Sequence, residues 1–342
     1  MHIYNPFENL SGSPLSAWAS SISSQDPTCS VVALPVFYNC PDCWPGIQIK
    51  QQRPELYAQD FSQYKHVILT SWEPTRTPQD IKNWVEANQF QSVSVVQGTK
   101  PTQGWQDRPD WFYSFCYLPW FLCQNQPQAP IASTGKYLFD VLLGARRPHR
   151  DFVMSKMTQS GLLEQSIVTY RGRYTKDYRG RIRGFKWPYE SPNLDASWDD
   201  KDASNFLPPW KIYQQTRYSI VCETIDNGFE FIFTEKTFKA MWARRVFVIF
   251  GVQYFLKNLH ELGFKTFGDV IDESYDDIAD PYLRWHSAWS AVEQLSKMDY
   301  ATVLSATSKI TQHNRQRLLT LNHEIQVRSR QRLDQIRSQF DV

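Results

Sequence analysis

Short apolar runs separated by turns dominate the first third of the chain. Ser30–Tyr38 (SVVALPVFY), Lys65–Trp72 (KHVILTSW) and Ser92–Gln97 (SVSVVQ) have the length and composition of buried strands. Between the last two, Thr77–Gln89 carries a helical pattern. Thr77 is suited to cap it, Pro78 to open its first turn, and Ile81, Trp84 and Val85 to line one face. Strand, helix and strand at this spacing predict a βαβ unit in a parallel sheet. Pro101–Ala132 is rich in Pro, Gln and aromatic residues, and a domain junction is expected around 125–135. The Tyr113–Phe121 stretch inside it is too apolar for a linker and reads as a strand or packed loop.

The α/β pattern then restarts. Tyr137–Leu143 (YLFDVLL) reads as a strand ended by Gly144, Asp151–Gln159 as a helix closed at Gly161, and Ile167–Tyr170 as the next strand. After the polar excursion 171–207 come strand Tyr218–Glu223, a turn at Asn227-Gly228, strand Phe229–Phe233 and a helix from Thr234. Strand Val246–Phe250 and helix Phe255–Leu262, stopped by Gly263, complete the pattern. From Pro281 to Phe340 the chain is almost wholly helical, with Leu318, Leu321 and Ile325 at i, i+3, i+7. The expected fold is α/β: two Rossmann-like domains facing a cleft and closed by a long C-terminal helix. Residues 1–130 form the first domain and 131–342 the second. Ligands of such folds sit beyond the carboxyl ends of the strands.

Composition narrows the class. Lys plus Arg is 37 against 35 Asp plus Glu, a net charge of +2, unlike the basic excess usual in general nucleic-acid binders. No signal-peptide pattern is visible in residues 1–28, and no apolar run is long enough to span a bilayer. Six cysteines are too few for a disulfide scaffold, so a cytoplasmic chain is expected. Cys40-Pro-Asp-Cys43 has neither a second CxxC nor a His pair to complete a zinc site, and Pro45-Gly46 directs it into a turn. It is read as two free thiols. GxGxxG and GxxxxGK[ST] are both missing from the expected places. Asp199-Asp200 and Asp276-Asp277 read as solvated loop acids, and no metal is expected.

The chemistry concentrates in residues 218–251, YSIVCETIDNGFEFIFTEKTFKAMWARRVFVIFG. Thr234 is a good N-cap, and Glu235 suits the positive end of the helix dipole. Lys236 does not, since a cation in the first turn is disfavoured by about 0.3–1 kcal/mol. It makes sense if an anion also sits there, because free amides and an ammonium together form a phosphate site. The alternative is a lysine pointing into solvent.

This segment resembles the donor-binding motif of the α1,3-fucosyltransferase family and related GT-B glycosyltransferases. In that family a strand ends in Glu, an aromatic residue precedes T-E-K, and a helix, an apolar strand and a Gly follow. The matching residues are Glu223, Phe231, Thr234, Glu235, Lys236 and Gly251. The chain departs from the family in reading Cys222-Glu223-Thr224 where F-E-N-S is frequent, and Val248 where Pro is usual. The resemblance implies a glycosyltransferase that moves a sugar from a nucleotide-diphosphate donor to a hydroxyl acceptor, inverting and without metal or other cofactor. It implies that Lys236 contacts the diphosphate, that Glu235 contacts the ribose, and that Glu223 shapes the pocket. The family's phosphate-clamping Arg corresponds to the group after Gly144, where Arg147 and Arg150 are favoured over Arg146. Arg suits that task because its planar fork binds phosphate bidentately. The alternative is a solvated basic helix start.

Inverting transfer needs a base for the acceptor hydroxyl. The resemblance places a carboxylate from the first domain there, and Glu73, directly after a strand, is the candidate, with Asp42 second. The basic stretch Arg171–Lys186, with Tyr174, Tyr178 and Phe185 interleaved, reads as a loop over an anionic ligand, a nucleic-acid contact or a plain solvated loop. A glycosyltransferase acting on nucleic acid, or a non-catalytic nucleotide-sugar or glycan binder of the same fold, are therefore the alternative functions. The chain's partners are expected to be the nucleotide sugar and its acceptor.

Overall fold

Parallel strand pairing organises both ends of the chain that the computed structural model describes. It describes residues 135–144, 146–170, 208–226 and 230–340, and before them the short strands given next, together with Leu118 and Leu122. Contacts divide the chain into two compact units, residues 1–120 with 322–342 and residues 121–321.

In the first unit the strands are β1 (Ile3–Tyr4), β2 (Ser23–Ser24), β3 (Val31–Pro35), β4 (His66–Ser71), β5 (Ser92–Gln97), β6 (Thr99–Pro101) and β7 (Trp111–Tyr113). Six of them form one sheet in the order β2-β1-β3-β4-β5-β7, and every pairing in it is parallel. Val32 lies opposite Val67, and Val67 opposite Val93, so the three strands expected from the apolar pattern are neighbours in register. The helix expected over Thr77–Gln89, most of Tyr113–Phe121, the Cys40/Cys43 pair, and Glu73 and Asp42 lie outside the described residues.

In the second unit β8 (Tyr137–Leu143), β9 (Ile167–Tyr170), β10 (Thr216–Cys222) and β12 (Phe247–Phe250) make a four-stranded parallel sheet, and β11 (Glu230–Ile232) precedes β12 in the chain. The sheet order is β12-β10-β8-β9. The chain lays β9 on one side of β8 and then returns to lay β10 on the other. A topological switch therefore lies between the carboxyl ends of β8 and β10, where open parallel sheets form their crevice. The connecting helices are α1 (Pro148–Gln159), α2 (Trp210–Tyr213), α3 (Glu235–Trp242), α4 (Phe255–Glu261), α5 (Pro281–Lys297) and α6 (Tyr300–Phe340).

Both faces of the sheet are covered, as a continuous apolar strand such as FVIF requires. Phe247 and Phe250 lie three apart on β12 and hence on opposite faces. Phe250 meets Phe152 of α1, which packs on Trp285 of α5. Phe247 meets Phe267 on the other side. Phe233, Phe238 and Phe264 form a second aromatic cluster around α3, with ring centroids 4.4 and 5.3 Å from Phe233.

A charged pair lies inside this core. Asp140, in the middle of apolar β8, is 3% exposed. Its carboxylate accepts from the Thr216 and Ser219 hydroxyls at 3.0 and 2.9 Å and from Arg245 Nη2 at 2.6 Å. Arg245 also donates to the Tyr213 and Thr216 carbonyls, so it joins β8, β10 and the end of α2. Burial pushes the Asp140 carboxyl above its ordinary range, against the pull of Arg245 and the two hydroxyls.

The C-terminal segment is two helices, the 17-residue α5 and the 41-residue α6. Met298 is extended, and Asp299 accepts from the amide and hydroxyl of Thr302 to start α6. Along α6 Val303, Thr307, Thr311, Asn314, Leu318, Leu321 and Ile325 are buried and lie on one face of the helix. Asn314 bonds both the amide and the carbonyl of Lys265, so the helix docks through a polar contact as well as leucines. Asp276 corrects the expectation of a solvated acid. It is buried, and its carboxylate receives the Leu256 and Lys257 amides at the start of α4, while Asp277 is exposed. A free helix end needs such an acceptor, and apolar surroundings leave no water to supply one. Among the described residues no helix is long and apolar enough to cross a membrane.

Removing one partner from a buried ion pair leaves the other charge uncompensated. Arg245→Met is expected to lower stability by about 3–5 kcal/mol in urea unfolding, and Asp140→Leu added to it is expected to restore part of the loss.

Candidate functional site

The loops that follow β8 and β10 and the helix that follows β11 converge at the switch point. After β8, Arg147 takes an extended conformation and Pro148 opens α1, its fixed φ suiting a first helical turn. This turn puts His149 and Arg150 against the end of β10. Arg150 is 5% exposed and donates from Nη2 to the Glu223 carbonyl at 3.2 Å and, more weakly, to that of Cys222 at 3.5 Å. The solvated alternative for this arginine is thereby excluded. Arg146 turns away to pair with Asp151, which also accepts from the Tyr170 hydroxyl. Arg147 is part-buried beside Arg150.

Glu223 directly follows β10 and is completely buried. Its Oε2 accepts from the Thr234 hydroxyl at 2.6 Å and the Thr224 amide at 3.2 Å, and its Oε1 from the Thr237 hydroxyl at 2.5 Å. Thr234 is the expected N-cap of α3. Its hydroxyl oxygen accepts from the Lys236 amide at 3.4 Å while its proton goes to Glu223. One threonine thus closes the helix and satisfies a buried carboxylate.

Lys236 does not point freely into solvent. Its Nζ lies 2.7 Å from Glu235 Oε1 and 3.0 Å from Thr224 Oγ1, and its side chain is 25% exposed. The anion at this helix end is Glu235 itself. Burial raises the Glu235 carboxyl, but Lys236 and Lys239 more than offset it and hold the group below its ordinary value of 4.5. Lys239, one turn on, is lowered by burial against the opposing pull of Glu235. Burial likewise pulls the Arg150 guanidinium down, with Cys222, Glu223 and Glu235 opposing and Arg147 assisting. The neighbouring Cys222 thiol is pushed up to about 12 by burial, which leaves it neutral and unreactive.

The residues expected to contact a donor are therefore neighbours: Arg147, Arg150, Glu223, Thr234, Glu235 and Lys236 occupy one end of one sheet. No known protein family and no curated protein matches the chain. Glu73 and the basic stretch Arg171–Lys186 lie outside the described residues.

Three further side chains, not singled out by the sequence, build this end of the sheet. His149 is completely buried, with Nε2 2.9 Å from the Glu223 carbonyl and Nδ1 3.3 Å from Asp226 Oδ1. Arg284 of α5 donates to the carbonyls of Asp226, Gly251, Ile278 and Ala279. Gly251, the last residue of the motif, has no room for a side chain, because a Cβ there would fall 2.9 Å from the Phe255 ring.

The pairing of Glu235 has a defined pH sign. A carboxyl held low in the folded chain contributes stability above its unfolded pKa and loses it as pH falls through the folded value. Wild type is therefore expected to exceed Glu235→Gln in stability above about pH 4.5, the gap closing on further acidification in urea melts across the acid range. Thr237→Val, which deprives Glu223 Oε1 of a donor, is expected to cost about 1–3 kcal/mol at neutral pH.

Proposed function

We propose that this chain is a glycosyltransferase that moves a sugar from a nucleotide-diphosphate donor to a hydroxyl acceptor. The reading assigns it two Rossmann-like domains of GT-B type, residues 1–130 on the acceptor side and 131–342 on the donor side. The observation that carries it is the gathering of Arg150, Lys236 and the Thr234-capped end of α3 at the topological switch of a parallel sheet. Two fixed cations and a set of helix amides match the needs of a leaving nucleoside diphosphate, on which negative charge grows as the glycosidic bond breaks. These groups supply that stabilisation without a metal.

In this reading Lys236 exchanges its contact with Glu235 for a phosphate oxygen. Glu235, released, accepts from a ribose hydroxyl, as the fucosyltransferase resemblance implies. Arg147 and Arg150 face the same charge from α1, and the buried Glu223 holds α3 in place through Thr234 and Thr237. Glu73, after β4, removes the proton of the acceptor hydroxyl. Transfer proceeds with inversion, as the fucosyltransferase resemblance implies, which requires a base for the acceptor hydroxyl.

A panel of nucleoside diphosphates and nucleotide sugars separates this reading from others. At least one is expected to raise the melting temperature, and Lys236→Ala is expected to weaken its binding by about tenfold or more in calorimetry, about 1.4 kcal/mol. No shift with any nucleotide, or full affinity in the variant, refutes the donor site.

A further inference from the structure

Beneath the cationic groups lies a network in which His149, Asp226 and Arg284 touch no ligand in the reading above. Residues 223–226 leave β10 and are gripped from two helices. From α1, His149 Nε2 and Arg150 Nη2 both reach the Glu223 carbonyl. From α5, Arg284 Nη2 reaches the Asp226 carbonyl at 2.5 Å. His149 spans the segment, with its other ring nitrogen at Asp226 and its ring 6.3 Å from that of Trp285. All of His149 and Asp226 is shielded from solvent, and Arg284 is 4% exposed.

The chemistry of the contact is restrictive. A carbonyl only accepts, so Nε2 carries a proton. Nδ1 then lies 3.3 Å from Asp226 Oδ1, inside the same solvent-shielded segment. Leucine would fill a similar volume but would withdraw a donor from the Glu223 carbonyl and leave Asp226 facing an apolar group.

What the segment presents is Thr224. Its amide donates to Glu223 Oε2 and its Oγ1 receives Lys236 Nζ. The position of the Lys236 ammonium thus depends on a backbone that His149 secures from below. We propose that His149 is a positioning residue for the anion site, fixing residues 223–226 so that Thr224 aims Lys236; this rests on the donor-site reading. His149 touches no substrate. It acts through Glu223, Thr224 and Lys236 in turn.

The test uses two variants of the full chain and two readouts. His149→Gln keeps an N–H long enough to reach the Glu223 carbonyl, whereas His149→Asn is too short. Pyrophosphate affinity is measured by calorimetry, and acetylation of Lys236 by mass spectrometry after brief exposure to an acylating reagent. His149→Asn is expected to weaken pyrophosphate binding about tenfold and to raise Lys236 acetylation, while His149→Gln stays within about threefold of wild type in both. Both variants lose thermal stability, so a purely structural role predicts that both readouts follow the melting temperature and that Gln and Asn behave alike. That result, or unchanged acetylation in His149→Asn, overturns the proposal. Asp226→Asn examines the same segment with the imidazole intact: raised Lys236 acetylation supports positioning, and wild-type acetylation refutes it. If wild type fails to bind pyrophosphate while acetylation still separates Asn from Gln, the donor-site reading falls and the positioning role stands.

Discussion

A completely buried carboxylate, that of Glu223, is the constraint around which the second sheet's carboxyl end is arranged. An ionised carboxylate away from water is tolerated only when its oxygens are supplied with donors. Here the donors come from places the chain must bring to it: two hydroxyls from α3 and its cap, and the amide of the next residue. That requirement fixes where α3 begins and which of its faces turns inward. The backbone of the same residue makes a second demand, met by His149 and Arg150 from α1. One residue therefore sets the spacing of β10, α1 and α3, and the cations of the candidate site inherit their positions from it.

The sheet supplies the frame. Its order, with β8 and β10 adjacent and β9 and β12 outside them, places the topological switch at the ends of the two central strands. Asp140 and Arg245 hold those strands together from within, through the hydroxyls of Thr216 and Ser219. Arg284 holds the loops beyond them through four carbonyls. Lysine could not take that place, because its single ammonium lacks the planar fork that reaches several acceptors at once. Buried cations thus perform two tasks in the same unit, one internal to the fold and one poised at its edge.

Much of this is legible in the sequence because strand and helix periods are local properties. YLFDVLL, YSIVCE and FVIF announce themselves by apolar content, and Thr234 announces a helix start by its hydroxyl. Gly161 and Gly263 read as stops, and both adopt positive φ, 70° and 83°. The T-E-K segment stands out because a lysine in a first turn is locally unfavourable, and the structure answers with Glu235 and Thr224. What stays hidden depends on distant partners. His149, Asp226 and Arg284 come from three separate elements, and nothing near any of them in sequence hints at the others. Asp140 does carry a signal, a lone acid in an apolar strand, but its partner Arg245 cannot be named without the sheet order. Asp276 passes for a loop acid because the Leu256 amide it receives lies twenty residues before it.

The Asp140–Arg245 contact also bears on the order in which the chain can be completed. Its two residues are separated by 105 positions. A ribosome adding about 5–20 residues per second makes Asp140 roughly 5–20 s before Arg245. Throughout that interval β8 carries Asp140 without its arginine, and β10, which supplies the two hydroxyls, is also made after most of the intervening chain. The contact itself can form only once the arginine just past α3 has been added, after the helix bearing the T-E-K sequence has been synthesised.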